Sequence, residues 1–154
     1  MPLTVGDKAP DFTLPTDEGR TLSLHSLQGK KVILYFYPKD NTPGCTREAC
    51  DFRDSFAQLS NENVVVLGVS KDSVEKHQKF KEKYALPYFL LADVNGDVCE
   101  KYDIINKKSL FGNTFLGIQR STFLIDEQGI IRAVWRKVKV NGHIKQVLDE
   151  LNKK

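Results

Sequence analysis

The sequence predicts an α/β fold, a central mixed β-sheet flanked by helices, with a β-hairpin added at the N-terminus. Three observations point there. Apolar runs of strand length, rich in β-branched and aromatic residues, occupy residues 31–38 (KVILYFYP), 63–70 (NVVVLGVS) and, more briefly, 88–93 (YFLLAD). Helical spacing of apolar residues fills the stretches between them. Two further runs, STFLID and IIRAVWR, flank Glu127-Gln128-Gly129, the signature of a hairpin turn.

The elements follow in order. FTLPTDEGRTLSL (residues 12–24) is expected to form the small hairpin in front of the sheet. The run at 31–38 is stopped by Pro38 and is apolar enough to be buried on both faces. Residues 46–59 place Ala49, Phe52, Phe56 and Leu59 on one helical face, and 73–84 and 97–102 carry weaker versions of the pattern. The last helix, 142–151, collects Ile144, Val147, Leu148 and Leu151 on one side. The stretch NKKSLFGNTFLG (residues 106–117) is expected to be a loop over the core, with Leu110, Phe111, Phe115 and Leu116 packed inward or lining a pocket or partner surface. The order β-α-β-α-β-β-α is compatible with a thioredoxin-like fold. Such a fold by itself says nothing about chemistry.

Length and composition bound the function. A chain of 154 residues, 40% apolar and 28% charged, is expected to be one domain spanning 1–154. The net charge of +3 is mild, and Lys and Arg alternate with Asp and Glu, as in EKHQKFKEKY, so no nucleic-acid partner is indicated. The longest apolar stretch, VILYFY, is too short to cross a bilayer. The start MPLTVGDKAPDFTLP lacks a cationic segment followed by an apolar one, so a cytoplasmic setting is the expectation. Cysteine pairs there are more often catalytic or redox-sensing than structural.

Two of the three cysteines, Cys45 and Cys50, lie in PKDNTPGCTREAC. Cys45 falls just after a strand and a turn, at or near the first turn of a helix. Free backbone N–H groups and the positive end of the helix dipole favour a thiolate there. The same position also suits an inert, buried cysteine. On a regular helix, residues five apart differ by about 500° of rotation and about 7.5 Å of rise, with Cα atoms about 8.7 Å apart. A disulfide needs about 4.4–6.8 Å. A permanent disulfide on an intact helix is therefore disfavoured, while a cycle that unwinds the first turns on oxidation is permitted. A metal site is also disfavoured. Zinc ligands come as closely spaced pairs, whereas Cys99 stands alone and His25, His77 and His143 are scattered. Cys99, in DVCEKYD, is expected to be a buried or half-buried helix residue.

PKDNTPGCTREAC resembles the active-site segment of the peroxiredoxins, Pro-x-x-x-Thr-x-x-Cys, with Pro38, Thr42 and Cys45 in register. The Cys-x-x-x-x-Cys spacing resembles the subgroup called bacterioferritin comigratory protein or peroxiredoxin Q. VGDKAPDFTLP, GIQRSTFLID and WRKVKVNGHIKQVL resemble other segments of that subgroup, in the same order. The resemblance implies a thioredoxin-like fold and a peroxidase without metal or other cofactor, acting on hydrogen peroxide and alkyl hydroperoxides. Cys45 would attack the peroxide and become a sulfenic acid. Arg120 would hold the thiolate and position peroxide. Thr42 would use its hydroxyl on the sulfur or the peroxide, Pro38 would shape and shield the pocket, and Glu48 would orient the arginine. Cys50 would resolve the sulfenic acid as an intramolecular disulfide, and thioredoxin or a related dithiol would reset it. Members of the subgroup are often monomers.

Each residue also has a plainer role: Arg120 as a surface charge, Glu48 as a complement to the helix dipole, Thr42 as an N-cap. Two other functions compete. One is a thiol–disulfide oxidoreductase, which would normally carry Cys-x-x-Cys at the helix start. The other is a non-enzymatic redox sensor or binding protein using the same Cys45–Cys50 switch.

Overall fold

The computed structural model describes residues 3–153, apart from the side chains of Lys108, Ser109, Leu110 and Phe115. The N-terminal hairpin pairs β1 (Thr13–Pro15) with β2 (Thr21–Ser23) and leads through a short 3-10 turn at His25–Leu27 into the main sheet. The sheet has five strands: β3 (Lys31–Phe36), β4 (Val64–Ser70), β5 (Phe89–Ala92), β8 (Ser121–Ile125) and β9 (Ile131–Arg136). Their order is β5-β4-β3-β8-β9. β3, β4 and β5 run parallel, and β8 and β9 complete the sheet antiparallel, so the sheet is mixed, as the apolar runs and the hairpin signature predict.

Strand periodicity divides the core in two. Val32, Leu34 and Phe36 face one side of the sheet, where they pack with Phe12, Leu14, Tyr102 and Phe123. Ile33, Tyr35 and Tyr37 face the other, against Cys45, Ala49, Phe52, Leu59, Phe80 and Val147. The second face is covered by α1 (Pro43–Asp54), α2 (Phe56–Asn61), α3 (Val74–Tyr84) and α5 (His143–Leu151), while α4 (Asp97–Lys101) covers the first. β3 is therefore buried on both sides, which is why its sequence shows no polar alternation. Among the described residues, no helix is long and apolar enough to cross a membrane.

Two features differ from the sequence expectations. The helix expected over 46–59 begins three residues earlier, at Pro43, and breaks at Ser55 (φ −98°, ψ 0°) into α1 and α2. Proline is tolerated at a helix's first position because its missing N–H has no intrahelical partner there. The stretch expected as a loop is a second hairpin, β6 (Ile105–Leu110) paired with β7 (Asn113–Ile118). Its two-residue turn is Phe111–Gly112, both at positive φ (52° and 80°). Phe111 and Leu116 do not pack over the core: they are 94% and 66% exposed. The side chains of Leu110 and Phe115 lie outside the described residues.

Candidate active site

β3 ends beside the start of β8, because Phe36 pairs with Ser121 in antiparallel register. Arg120, the residue before Ser121, thus lies where the chain leaves β3 and turns into α1. Thr42 is the N-cap of α1, so Cys45 occupies the third helical position. Topology alone brings the first turn of α1 and Arg120 together, although 75 residues separate Cys45 from Arg120.

The contact is direct. Arg120 Nη2 donates to Cys45 Sγ at 3.2 Å, and Nη1 donates to Glu48 Oε1 at 2.6 Å. Cys45 and Glu48 are each only 1% exposed. Burial works against the charge of Arg120, but Glu48 and Cys45 more than offset it and hold the guanidinium above its usual range. The opposite holds for Glu48: burial outweighs the attraction of Arg120 and pushes its carboxyl up to about 7. Glu48 Oε2 is buried without a hydrogen-bond partner among the described residues.

The predicted residues fall into two groups. Cys45, Glu48 and Arg120 meet in one cluster. Thr42 caps the helix only through its backbone, and its hydroxyl donates to the Lys39 carbonyl at 2.8 Å rather than to Cys45 Sγ. That leaves the Thr42 oxygen free to accept. Pro38 and Arg120 share an open cleft of about 970 Å³ with Gln119, Lys107 and Arg136, and Cys45 is not among its walls. Arg120 is therefore the one member of the cluster that reaches the cleft. Cys50, half-buried, sits further along α1 with its thiol free, and burial raises its pKa. Tyr88 Oη donates to the Ala49 carbonyl at 3.0 Å, and Phe52 stacks on Tyr35 with ring centroids 4.7 Å apart. These contacts hold the middle of α1 on the sheet. Cys99 is a fully buried α4 residue whose thiol is pushed up, chiefly by burial.

Sequence reasoning missed two contributors. A Cβ on Gly44 would lie 3.2 Å from Arg120 Nη2, so the missing side chain makes room for the guanidinium. Its sequence signal was the Pro-Gly pair directly before Cys45. The second is a buried network under the loop before α1. Asp40 Oδ2 meets His77 Nδ1 at 2.6 Å, Tyr37 Oη donates to Asp40 Oδ1, and His77 Nε2 donates to the Leu91 carbonyl at 3.0 Å. The Asp40 N–H also donates to Asp72 at 2.7 Å. No local pattern links Asp40, in the loop before α1, to His77 on α3.

Comparison with known proteins settles the family. The AhpC/TSA family pattern matches residues 5–134. The chain belongs to the AhpC/TSA family. Over 151 residues it is 62% identical to a protein named putative peroxiredoxin bcp from Coxiella burnetii, covering 98% of this chain and 100% of that one. Among solved structures it is similar to the peroxiredoxin Q of Xylella fastidiosa, a cysteine-to-serine mutant, with TM-score 0.93, 35% identity and 98% and 96% coverage. It is also similar to the bacterioferritin comigratory protein of Xanthomonas campestris, with TM-score 0.87, 38% identity and 91% and 89% coverage. That structure concerns alkyl peroxide reduction by the Xanthomonas protein. The fold is the thioredoxin-like one of these peroxiredoxins, and the chain is a peroxidase of the same kind.

Proposed function

We propose that this enzyme reduces hydrogen peroxide and alkyl hydroperoxides with Cys45 as the attacking thiolate. The observation that carries the assignment to Cys45 is its place in the first turn of α1 with Arg120 Nη2 on its sulfur. A helix N-terminus and a guanidinium both favour the thiolate, the form that attacks. Sulfur takes one peroxide oxygen as the O–O bond breaks and becomes a sulfenic acid. Charge grows on the departing oxygen, and donors aimed at that charge lower the barrier. Arg120 supplies them, and the Thr42 oxygen accepts the peroxide O–H. Pro38 shields the sulfenic acid, and Glu48 orients Arg120.

Cys50 then attacks the sulfenic sulfur and expels water, forming a disulfide with Cys45. Because both lie on α1, this step requires its first turns to unwind. A dithiol protein of the thioredoxin kind, in the cytoplasm, returns the pair to thiols. The enzyme works as a monomer, with a dimer as the alternative, and residues 1–154 form one domain.

The test is one equivalent of hydrogen peroxide added to reduced wild type, Cys45→Ser and Cys50→Ser, followed by intact mass and free-thiol count. Wild type should lose two thiols quickly, Cys50→Ser should stop at the sulfenic acid, and Cys45→Ser should hardly react. Equal reactivity of Cys45→Ser and wild type would sink the assignment.

A further inference from the structure

The peroxidase cycle must move a proton. Cys45 has to lose one before it attacks, and the oxygen leaving the peroxide has to gain one. The structure places both acids of this exchange on one cation. Cys45 and Glu48 are three residues apart, nearly one turn of α1, and each meets a different nitrogen of Arg120. Arg120 is one positive charge facing both acids, and it compensates the ionisation of one of them more readily than of both.

The other groups around Glu48 do not change that count. Asp51, on the same helix, adds negative charge and pushes the carboxyl further up. Tyr35 from β3 and Tyr88 just before β5 are neutral phenols, both held above their usual range, chiefly by burial. His143 at the start of α5 is pushed down, chiefly by burial and also by Arg120, so it adds no cation. Glu48 Oε1 is taken by Arg120, while Oε2 is buried with no partner among the described residues. An ionised oxygen held that way is costly, whereas a carboxylic O–H there is a donor still unspent.

We propose that Glu48 is the proton carrier of the cycle, taking the Cys45 proton when the thiol ionises and giving it to the oxygen that leaves the peroxide. This rests on Cys45 being the peroxide-attacking thiol. In the first half-reaction the Cys45 thiolate attacks the hydroxyl oxygen of ROOH, the S–O bond forms and the O–O bond breaks. The alkoxide or hydroxide takes the proton of Glu48, giving ROH, a Cys45 sulfenic acid and a Glu48 carboxylate. Cys50 then displaces water from the sulfenic acid. A dithiol reduces the resulting disulfide, is itself oxidised to a disulfide, and returns both cysteines as thiols. The Cys45 thiol passes its proton to Glu48, which restores the thiolate and the carboxylic acid. The carboxyl value of about 7 fits a group that both takes and gives a proton near neutral pH. Glu48 acts here by holding and handing on a proton, kept beside the reacting sulfur by the guanidinium they share.

The test is single-turnover oxidation of reduced wild type and Glu48→Gln at neutral pH with hydrogen peroxide, tert-butyl hydroperoxide and peracetic acid. The first two expel hydroxide or alkoxide, which need a proton, while peracetic acid expels acetate, which does not. Glutamine keeps an oxygen for Arg120 to donate to but carries no acidic proton. Loss of the carrier should slow the first two at least about tenfold more than it slows peracetic acid. Equal slowing with all three peroxides, or none with any, overturns the proposal and leaves Glu48 as an orienter of Arg120. A second measurement uses wild type alone. Infrared difference spectra on adding one equivalent of hydrogen peroxide should show a carboxylic acid C=O band lost and a carboxylate gained. Reduced protein with no such band to lose overturns the carrier without touching the peroxidase reading. If wild type reacts no faster than a free thiol with any of the three, both fall together.

Discussion

Arg120 Nη2 stands 3.2 Å from Cys45 Sγ while the same guanidinium grips Glu48 with Nη1, so one planar fork sets the place of the sulfur and of the carboxyl together. A lysine has the charge without the fork. Arg120→Lys should therefore keep the fold and slow the reaction of Cys45 with hydrogen peroxide about a hundredfold, the usual cost of one transition-state donor. Stopped-flow fluorescence against peroxide concentration measures it. A loss below about threefold would remove Arg120 from the transition state.

Gly44 tests the same fork by crowding it. A methyl group at this position would meet Arg120 Nη2 at 3.2 Å, closer than ordinary contact, so the guanidinium must give way by a few tenths of an ångström. Gly44→Ala should therefore leave the melting temperature within a few degrees of wild type, and slow peroxide reduction about tenfold, because small misplacements of a positioning group are costly. Unchanged rate with unchanged stability would show that the site tolerates the shift.

The switch of α1 can be biased from the sheet side. Phe52 is 1% exposed, stacks on Tyr35 and holds the helix down just past Cys50. Phe52→Leu removes the stacking but leaves most of the apolar volume, so a loss of about 1–2 kcal/mol in urea unfolding is expected. With less holding the helix, conversion of the sulfenic acid to the disulfide should speed up relative to sulfenic acid formation. Following both phases in one stopped-flow trace decides it, and a slower second phase would mean that unwinding does not limit resolution.

The loop before Cys45 is tied down by Asp40 and His77, 8% and 0% exposed, at 2.6 Å. Removing Asp40 takes a buried hydrogen-bond partner from both the His77 ring and the Tyr37 hydroxyl. Asp40→Ala should cost about 3 kcal/mol in urea unfolding and raise amide exchange across residues 39–45. A loss under about 1 kcal/mol would mean that the network is solvated rather than clamping the loop.

What the sequence disclosed, and what it hid, follows from distance along the chain. β3, β4 and β5 were legible because burial on both faces writes itself into consecutive residues such as VILYF. The position of Cys45 at a helix start was legible from the adjoining Pro-Gly. The hairpin β6–β7 was not, because INKKSL is mostly polar and carries no strand alternation strong enough to separate it from a loop. The break at Ser55 was also hidden, since the apolar spacing of Phe52, Phe56 and Leu59 runs straight through it. At the site, the family pattern pointed to Glu48 and Arg120, but the burial of Glu48 could not be read from position 48. It arises where β8 meets β3, and its ion-pair partner lies 72 residues away.

Burial of Glu48 has a consequence for stability that can be read without any peroxide. Its carboxyl stands at about 7 in the folded protein against an ordinary 4.5. Below the lower value both folded and unfolded chains hold the proton, and above the higher value neither does. Between them the folded chain is protonated and the unfolded chain is not, so unfolding releases a proton and stability falls as pH rises. The stability present below the unfolded value is thus lost by the time pH passes the folded one, a difference of about 3 kcal/mol. Glutamine at this position does not titrate. Urea unfolding of reduced Glu48→Gln, compared with wild type at pH 5 and pH 8, should show the variant gaining on wild type at the higher pH by a few kcal/mol. A gap that stays constant, or widens toward acid, would mean that Glu48 is ionised throughout and that Arg120 outweighs burial after all.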